Sequence, residues 1–243
     1  MISKAKIAYV RSLQDKGIRH QEGCFVVEWR KLIEEVLDSW FEILEWYFSE
    51  KFLLWKTFTF PVFSVTSTEL DRISSLSSND TGILIVKMRD QSLPKIQKND
   101  LVLVLDTIND PGNLGTIIRI ADWYGISHII ASRDTVDCYN SKVIMATMWS
   151  FTRISIFYTD LDQYLARVQW KVYGAYLDGE STHTKKFDSL GGHLVIGSEA
   201  HGISSGLEKY ITDRITIPRF WSAESLNAGV ATAVILDRMV VKG

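Results

Sequence analysis

The sequence of 243 residues contains only two cysteines, Cys24 and Cys138, and they lie far apart in the chain. Because no Cys-x-x-Cys pair occurs, the chain has neither the cysteine pattern of a disulfide-rich secreted fold nor that of a zinc site. We therefore expect no metal in the functional site, and a reducing compartment, the cytoplasm, for the protein.

Long apolar runs are also absent. No run approaches the roughly 18 residues that a membrane-spanning helix needs, and the first residues contain no apolar core of a secretory signal. We therefore expect no association with a membrane. The hydrophobic content of 46% is that of an ordinary folded protein, and the length suits one large domain or two small ones.

An excess of charge of one sign is missing as well, since the net charge is −2. This value argues against a surface that binds nucleic acid everywhere, but the distribution of charge matters more than its sum. Residues 1–31 carry seven Lys or Arg side chains against three acidic ones. The N-terminal region is therefore predicted to be a basic patch on a nearly neutral protein.

The common nucleotide-binding and nucleophile motifs are not found. Neither a Gly-x-Gly-x-x-Gly nor a P-loop pattern occurs. Residues 202–206 formally match the Gly-x-Ser-x-Gly nucleophile elbow, which requires the Ser at a strand-to-helix turn and a His later in the chain. The predicted strand ends near Gly197 and no His follows His201, so the sequence argues against a hydrolase.

Apolar strands and amphipathic helices alternate along the chain, which predicts an α/β fold with a mostly parallel sheet. A first domain is predicted at 1–93 and a polar linker with a proline at 94–100. The second domain is predicted at 101–243, with strands at 101–106, 128–131, 154–158, 171–176 and 193–197. Its helices are expected at 113–124, 160–168 and 225–239.

Three loops follow apolar strands of the second domain and are rich in Gly, Asn and Ser. In open α/β sheets, ligands bind beyond the carboxyl ends of the strands, so the three loops predict one composite site. The residues that stand out are Asn113, Gly197, Glu199, Gly202, Ile217, Ser225, Leu226 and Asn227. Ser225 also suits the N-cap of the last helix.

Arg119 interrupts an apolar stretch six residues after Asn113. A buried arginine needs a carboxylate or phosphate partner, whereas an arginine on an amphipathic helix can simply face solvent. The spacing alone leaves both interpretations open. The last helix contains Ala228, Gly229 and Ala231, and these small residues allow either close packing in the core or, in addition, contact with a second subunit.

Taken together, the loops resemble the SpoU branch of the SPOUT RNA methyltransferases. The first motif of that family stands here as Asp110-Pro-Gly-Asn113-Leu-Gly115 followed by Arg119, the second as Gly197, Glu199 and Gly202, and the third as Ile217-Pro218 and Ser225-Leu226-Asn227. Residues 19–28 resemble an arginine-containing helix end and strand of the family's substrate-binding domain. The chain departs from the pattern at Trp29, Ala200 and Arg219, where the family usually has Gly, Gly and Met.

The resemblance implies a small N-terminal α/β domain of ribosomal-protein-like fold that binds RNA, followed by an α/β trefoil-knot domain. It implies transfer of a methyl group from S-adenosylmethionine to a ribose 2′-hydroxyl of rRNA or tRNA, and a homodimer formed through the C-terminal domain. An RNA-binding paralogue without catalysis and a base methyltransferase of the same fold remain as alternatives.

The same resemblance assigns roles to residues. The catalytic set is Arg119, Asn113, Glu199, Ser225 and Asn227, with Arg119 holding phosphate and polarising the hydroxyl, because arginine keeps its proton in proteins. The cofactor set is Gly197, Gly202, Ile217, Leu226 and Asn227. With the basic N-terminal region, the resemblance gives as RNA-contacting residues Lys4, Lys6, Arg11, Arg19 and Arg119.

Overall fold

The fold was analysed in a computed structural model that describes residues 2–49, 57–76, 78–187, 191–222 and 224–240. The chain divides into two compact units, one formed by residues 1–90 with 139–152 and the other by residues 91–138 with 153–243. Residues 139–152 therefore belong to the first unit, although the sequence predicts them within the second domain and contains no pattern that signals the exchange.

The first unit contains the four-stranded sheet. In chain order its elements are α1 (Lys4–Ser12), α2 (Lys16–Glu22), β1 (Cys24–Glu28), α3 (Arg30–Leu37), β2 (Ile43–Ser49), β3 (Val62–Val65), α4 (Ser67–Ile73) and β4 (Gly82–Lys87). The strand order is β1-β4-β2-β3, in which β4 is antiparallel to both neighbours and β3 is parallel to β2. Its core includes Val10, Leu13, Leu70 and Ile83.

The helix starts of this unit follow side-chain caps. Helix α1 ends at Ser12 and α2 begins at Lys16, where Asp15 caps α2 by accepting a hydrogen bond from the Ile18 amide at 3.0 Å. Helix α4 is capped by Thr66, since Thr66 and Glu69 form a reciprocal capping box.

The second unit contains the six-stranded sheet. Its elements are β5 (Leu101–Leu105), α5 (Pro111–Trp123), β6 (His128–Ser132), β7 (Ser155–Thr159), α7 (Leu161–Leu165), β8 (Val172–Ser181), β9 (Gly192–Ile196), β10 (Asp213–Thr216) and α8 (Ala228–Val240). Helix α6 (Ser141–Ala146), which precedes β7, belongs to the first unit. The sequence analysis predicted neither α6 nor β10.

The strand order of this sheet is β10-β8-β9-β5-β6-β7, and all pairs are parallel. Strand β5 lies inside this sheet, between β9 and β6. Because inner strands of a parallel sheet are buried on both faces, β5 is a continuous apolar run, Leu-Val-Leu-Val-Leu. The mostly parallel α/β sheet predicted from the sequence is confirmed. In the part of the chain that the structure describes, no helix is long and apolar enough to cross a membrane.

Candidate active site

The site is built at the carboxyl edge of the six-stranded sheet. Strands β5 and β9 are neighbours in register, with Leu105 opposite Ile196, so the segments that follow them leave the sheet side by side. The first segment leads into α5, whose N-cap Asp110 accepts a hydrogen bond from the Asn113 amide at 2.8 Å. These two loops carry the first two predicted motifs.

The three predicted polar residues Asn113, Glu199 and Asn227 meet in an amide–carboxylate cluster. Glu199 Oε1 accepts hydrogen bonds from Asn113 Nδ2 at 2.9 Å and from Asn227 Nδ2 at 2.8 Å. It also accepts one from the Ala228 amide at 3.1 Å, while Asn227 Nδ2 further donates to Asn113 Oδ1 at 2.6 Å. Two other segments of the chain therefore converge on one carboxylate oxygen of the loop after β9.

Asn227 also starts the last helix. Its Oδ1 accepts hydrogen bonds from the amides of Gly229 at 3.0 Å and Val230 at 3.3 Å, so Asn227 caps α8. The prediction that the helix begins at Ser225 is wrong, and Ser225 is instead an exposed residue of the preceding non-helical segment. Among the described residues the Ser225 side chain has no hydrogen-bond partner, and it does not join the cluster.

The loop after β9 is closed by glycines. Ser198 and Gly202 exchange two backbone hydrogen bonds of 3.1 and 2.9 Å, and Gly202 has a φ of +68° that favours glycine. A Cβ on Gly197 would lie 2.1 Å from the Gly202 carbonyl carbon, so no other residue fits there. A Cβ on Gly202 would meet nothing within 4 Å, which means that the Gly202 backbone borders open space.

Ile217 and Leu226 complete the predicted cofactor set. Ile217, directly after β10, is half-buried, and Leu226 is 47% exposed. Within the described ranges no group of three or more His, Cys, Asp and Glu side chains could hold a metal ion.

Arg119 lies on α5 and is exposed. In the described part of the chain it has neither an ion pair nor a hydrogen-bonded side-chain partner. Of the two interpretations that its spacing left open, the exposed one is therefore correct in the isolated chain. Six residues separate it from Asn113, which is about 9 Å along a helix, and its guanidinium remains available to an anionic ligand.

Asp106 is a polar residue of this edge that the sequence analysis missed. It follows β5 directly and is buried, and its Oδ2 accepts a hydrogen bond from the Ser204 amide at 2.7 Å. Its Oδ1 accepts one from Thr107 Oγ1 at 3.0 Å. A charged residue at the end of an otherwise apolar strand is the signal that was available. Asp106 ties the segment after the Gly197–Gly202 loop to the end of β5.

The basic N-terminal residues do not all suit RNA contact. Arg19 is only 2% exposed, and its Nη1 donates to the carbonyls of Leu13 at 3.0 Å and Gln14 at 2.7 Å. Lys6 forms an ion pair with Glu45 at 2.7 Å. The prediction that both lie on the RNA surface is corrected on this ground: their charged groups are already held within the first unit. Lys4 and Arg11 are exposed.

The small residues of α8 pack inside the chain. Gly229 is buried, and a Cβ there would lie 2.8 Å from Thr116 Cγ2 of α5. Farther along, Tyr124 Oη donates to Asp237 Oδ1 at 3.3 Å, so α5 and α8 run side by side in the same direction. At Gly229, the small side chain is therefore required by the core of a single chain.

Trp29 stands at the departure from the family pattern noted above. It connects β1 to α3 with a φ of +78°, a value that bulky residues rarely adopt. Glycine, which is usual there in the family, takes such a conformation without strain. The substitution is visible in the sequence, whereas the strained backbone at Trp29 is visible only in the structure.

Two family models match the chain. The SpoU rRNA Methylase family matches residues 100–237, more than half of the chain, and the MRM3-like substrate binding domain matches residues 4–83. Among curated proteins, 23S rRNA (guanosine(2553)-2′-O)-methyltransferase RlmP of Bacillus subtilis is 26% identical over 95% of this chain and 94% of the relative. 23S rRNA (guanosine-2′-O-)-methyltransferase RlmB of Pasteurella multocida is 33% identical over 59% of this chain and 61% of the relative.

Solved structures agree in fold. A TrmH-family protein from Porphyromonas gingivalis has a TM-score of 0.87 and 31% identity, covering 98% of both chains. The SpoU methyltransferase AviRb from Streptomyces viridochromogenes, solved in complex with AdoMet, has a TM-score of 0.85 and 21% identity over 98% of this chain and 97% of its own. These matches confirm the SPOUT fold that the resemblance implied. The chain therefore belongs to the SpoU rRNA methylase family, and it is an S-adenosylmethionine-dependent enzyme that methylates ribose 2′-hydroxyl groups of RNA.

Proposed function

We propose that the RNA substrate is 23S ribosomal RNA and that the methylated nucleotide is a guanosine. The names of the relatives RlmP and RlmB support this choice. We further propose that the first unit binds the RNA, in keeping with its match to a substrate-binding domain. Ribosomal RNA as substrate favours the cytoplasm as the compartment, and two buried cysteines that form no disulfide suit its reducing conditions.

The observation that carries the proposed site is the amide–carboxylate cluster. Three donors occupy Glu199 Oε1, whereas Oε2 has no protein partner among the described residues. A carboxylate oxygen accepts hydrogen bonds readily, so Oε2 keeps the capacity to accept one from the RNA or the cofactor. The cluster thus holds one oxygen rigidly and offers the other. In this proposal Asn113 and Asn227 orient Glu199 through their amides.

The reaction requires a poor nucleophile to be oriented and to lose its proton, which leaves to solvent water. When bound, S-adenosylmethionine supplies the activated methyl group that the ribose 2′-oxygen attacks as the carbon–sulfur bond breaks. Arg119 keeps its own proton and therefore does not act as a base. Its guanidinium grips the phosphate of the target nucleotide and polarises the 2′-hydroxyl, which fixes the attacking oxygen in position.

The decisive experiment replaces Arg119 with Ala. Because the cofactor residues Gly197, Ile217 and Leu226 lie on other segments, affinity for S-adenosylmethionine in calorimetry should hardly change. Transfer of tritiated methyl to 23S rRNA should fall by orders of magnitude, and Arg119→Lys should restore only part of it because a lysine lacks the planar fork. Near-wild-type turnover of Arg119→Ala would remove the residue from the mechanism.

Arg167 provides a matched control for this experiment, because it is an exposed arginine of the same unit outside the site. Arg167→Ala should leave both cofactor affinity and turnover unchanged. The position of the methyl group is read from alkaline cleavage, which a 2′-O-methyl blocks. Transfer to a base instead of the ribose would leave cleavage intact and contradict the chemistry.

The homodimer also belongs to this proposal. The parallel helices α5 and α8 each carry an exposed apolar residue, Trp123 and Val230, which a second copy would cover. Because Gly229 packs within the chain, an exposed position is the better probe of a dimer. Val230→Lys should shift sedimentation toward the monomer with unchanged circular dichroism, and a wild-type protein that sediments as an active monomer would contradict the dimer.

A further inference from the structure

Residues 219–221, an Arg-Phe-Trp turn, lie between β10 and α8. Phe220 is 83% exposed and Trp221 is 86% exposed. Arg219 is exposed too, and its Nη1 reaches the carbonyl oxygen of Glu224 at 3.5 Å. Two adjacent large aromatic side chains and a cation are therefore presented together to solvent.

Adjacent exposed aromatic side chains beside a charge are typical of a binding surface. Phe and Trp each present roughly 150–250 Å² of mostly apolar surface, and large aromatic side chains are normally buried to a great extent. Among the described residues, the two other most exposed tryptophans, Trp40 and Trp123, have no aromatic residue beside them in the sequence that is also exposed. The Arg-Phe-Trp turn is thus a small apolar surface next to a positive charge.

The turn is tied to the active site by the chain itself. It follows Ile217 and Pro218 at the carboxyl edge of the sheet, and six residues after Trp221 the chain reaches Asn227 of the amide–carboxylate cluster. Six residues span at most about 20 Å. A ligand bound at the turn therefore lies within the length of a few nucleotides of the amide–carboxylate cluster.

We propose that Phe220 and Trp221 stack on an unpaired base of the substrate RNA next to the methylated nucleotide, and that Arg219 pairs with the phosphate of that base. The inference rests on the proposed function. Proteins read single-stranded RNA by stacking splayed bases on aromatic side chains, and arginine both pairs with phosphate and stacks on flat rings. The three side chains supply both kinds of contact.

The size of the surface favours a base over a second copy of the chain. A stable interface buries about 800 Å² per partner, which is well above what two side chains offer, whereas one or two bases match their area. The turn also precedes Asn227 of the amide–carboxylate cluster by only six residues. This short distance favours the substrate RNA over a partner that binds away from the active site. The occupant is therefore a nucleotide of the substrate, bound while its neighbour reacts.

The test compares Phe220→Ala/Trp221→Ala with the aromatic variant Phe220→Tyr/Trp221→Phe. Loss of stacking weakens binding by about 5- to 150-fold for each base, so the alanine variant should raise KM for a 23S rRNA fragment at least about fivefold. The aromatic variant should stay within about threefold of wild type. Leu93→Ala, which removes an exposed apolar side chain elsewhere in the second unit, should leave KM unchanged.

Parallel measurements decide between occupants. Calorimetry with S-adenosylmethionine and sedimentation should give wild-type results for the alanine variant. A loss of cofactor affinity would assign the aromatic pair to the cofactor, a shift to monomer would assign it to a second copy, and an unchanged KM would leave it without RNA; each overturns the inference. A wild-type enzyme that transfers no methyl to the fragment would instead contradict the proposed substrate.

Discussion

Two carboxylates at the carboxyl edge of the parallel sheet are used in opposite ways. Asp106 is buried, and both of its oxygens are engaged by the Ser204 amide and the Thr107 hydroxyl. Glu199 is exposed, and its three donors all meet on one oxygen. The first carboxylate fixes a loop, whereas the second is positioned by the protein and, in the proposed mechanism, keeps an oxygen for a ligand. The difference separates a residue that builds the site from one that we propose acts in it.

The largest effect is expected when the exposed cluster is changed without disturbing its helix. In Asn227→Asp the new side chain still caps α8, since Asp is as good a cap as Asn. It cannot donate to Asn113 or Glu199, and it places a second negative charge against Glu199. Methyl transfer should fall by about 100-fold or more with unchanged circular dichroism.

Asn140 offers a control for that substitution, because its Oδ1 caps α6 through the Lys142 amide at 2.9 Å. Asn140→Asp should keep wild-type turnover. If Asn227→Asp also kept it, the hydrogen bonds to Glu199 would be irrelevant to activity and the distinction between the two carboxylates would fail.

The middle of the sheet provides a buried polar group that touches no site residue. His193 in β9 is fully buried, its Nε2 lies 2.8 Å from Tyr164 Oη, and burial lowers the pKa of its imidazole to about 4. The unfolded chain binds this proton below about pH 6.5, whereas the folded chain does not until about pH 4. Stability is therefore full above pH 6.5 and falls as the pH drops toward 4.

The difference between the ordinary pKa of histidine and the lowered pKa of His193 limits the loss in the free energy of unfolding to about 3 kcal/mol. Urea titrations at several pH values measure it, and His193→Gln should flatten the dependence between pH 6.5 and 4. An unchanged slope in that variant would assign the acid sensitivity to other groups.

Removing the buried carboxylate should affect stability and not the chemistry directly. Asp106→Ala leaves the Ser204 amide and the Thr107 hydroxyl without their partner, which should lower the free energy of unfolding by about 1–3 kcal/mol. Glu199→Gln keeps an acceptor oxygen for the three donors and should change stability by less than about 0.5 kcal/mol while reducing turnover. The reverse pattern in urea unfolding and turnover assays would mean that the two roles are exchanged.

The smallest effect concerns the basic N-terminal region. Lys4→Gln/Arg11→Gln removes two exposed charges, and each lost phosphate contact lowers the log–log salt slope of RNA affinity by about 0.7–0.9. The slope should therefore drop by up to about 2. Lys6→Gln, whose charge already faces Glu45, should leave the slope unchanged, and filter binding over a salt series distinguishes the two.

Local patterns were enough to predict the fold class and the members of the cluster. The apolar run of β5 identified a strand of a mostly parallel sheet, and glycines after β9 marked a loop at the sheet edge. Asn113, Glu199 and Asn227 were named from motifs that match the family in order and spacing. The structure adds that they bond to each other across 28 to 114 residues of sequence.

The sequence could not show which polar side chains already form hydrogen bonds within the folded chain. Arg19 lies in a basic stretch, but its guanidinium is bound by backbone carbonyls that no motif encodes. In the sequence Asp106 is only the residue after a strand, but in the structure it accepts a hydrogen bond from the Ser204 amide, 98 residues away. Asn227 caps a helix whose start was placed at Ser225, because both residue types favour that position.

The pairing of β5 with β9 also bears on how the enzyme is made. These central strands are joined in register although about 90 residues separate Leu101 from Gly192. Distant pairings must close a long loop before they gain any contact, so chains dominated by them fold slowly. The loops after both strands take their final shape only once that pair has formed. We therefore expect catalytic activity to be regained late during refolding, after most of the helical signal has returned.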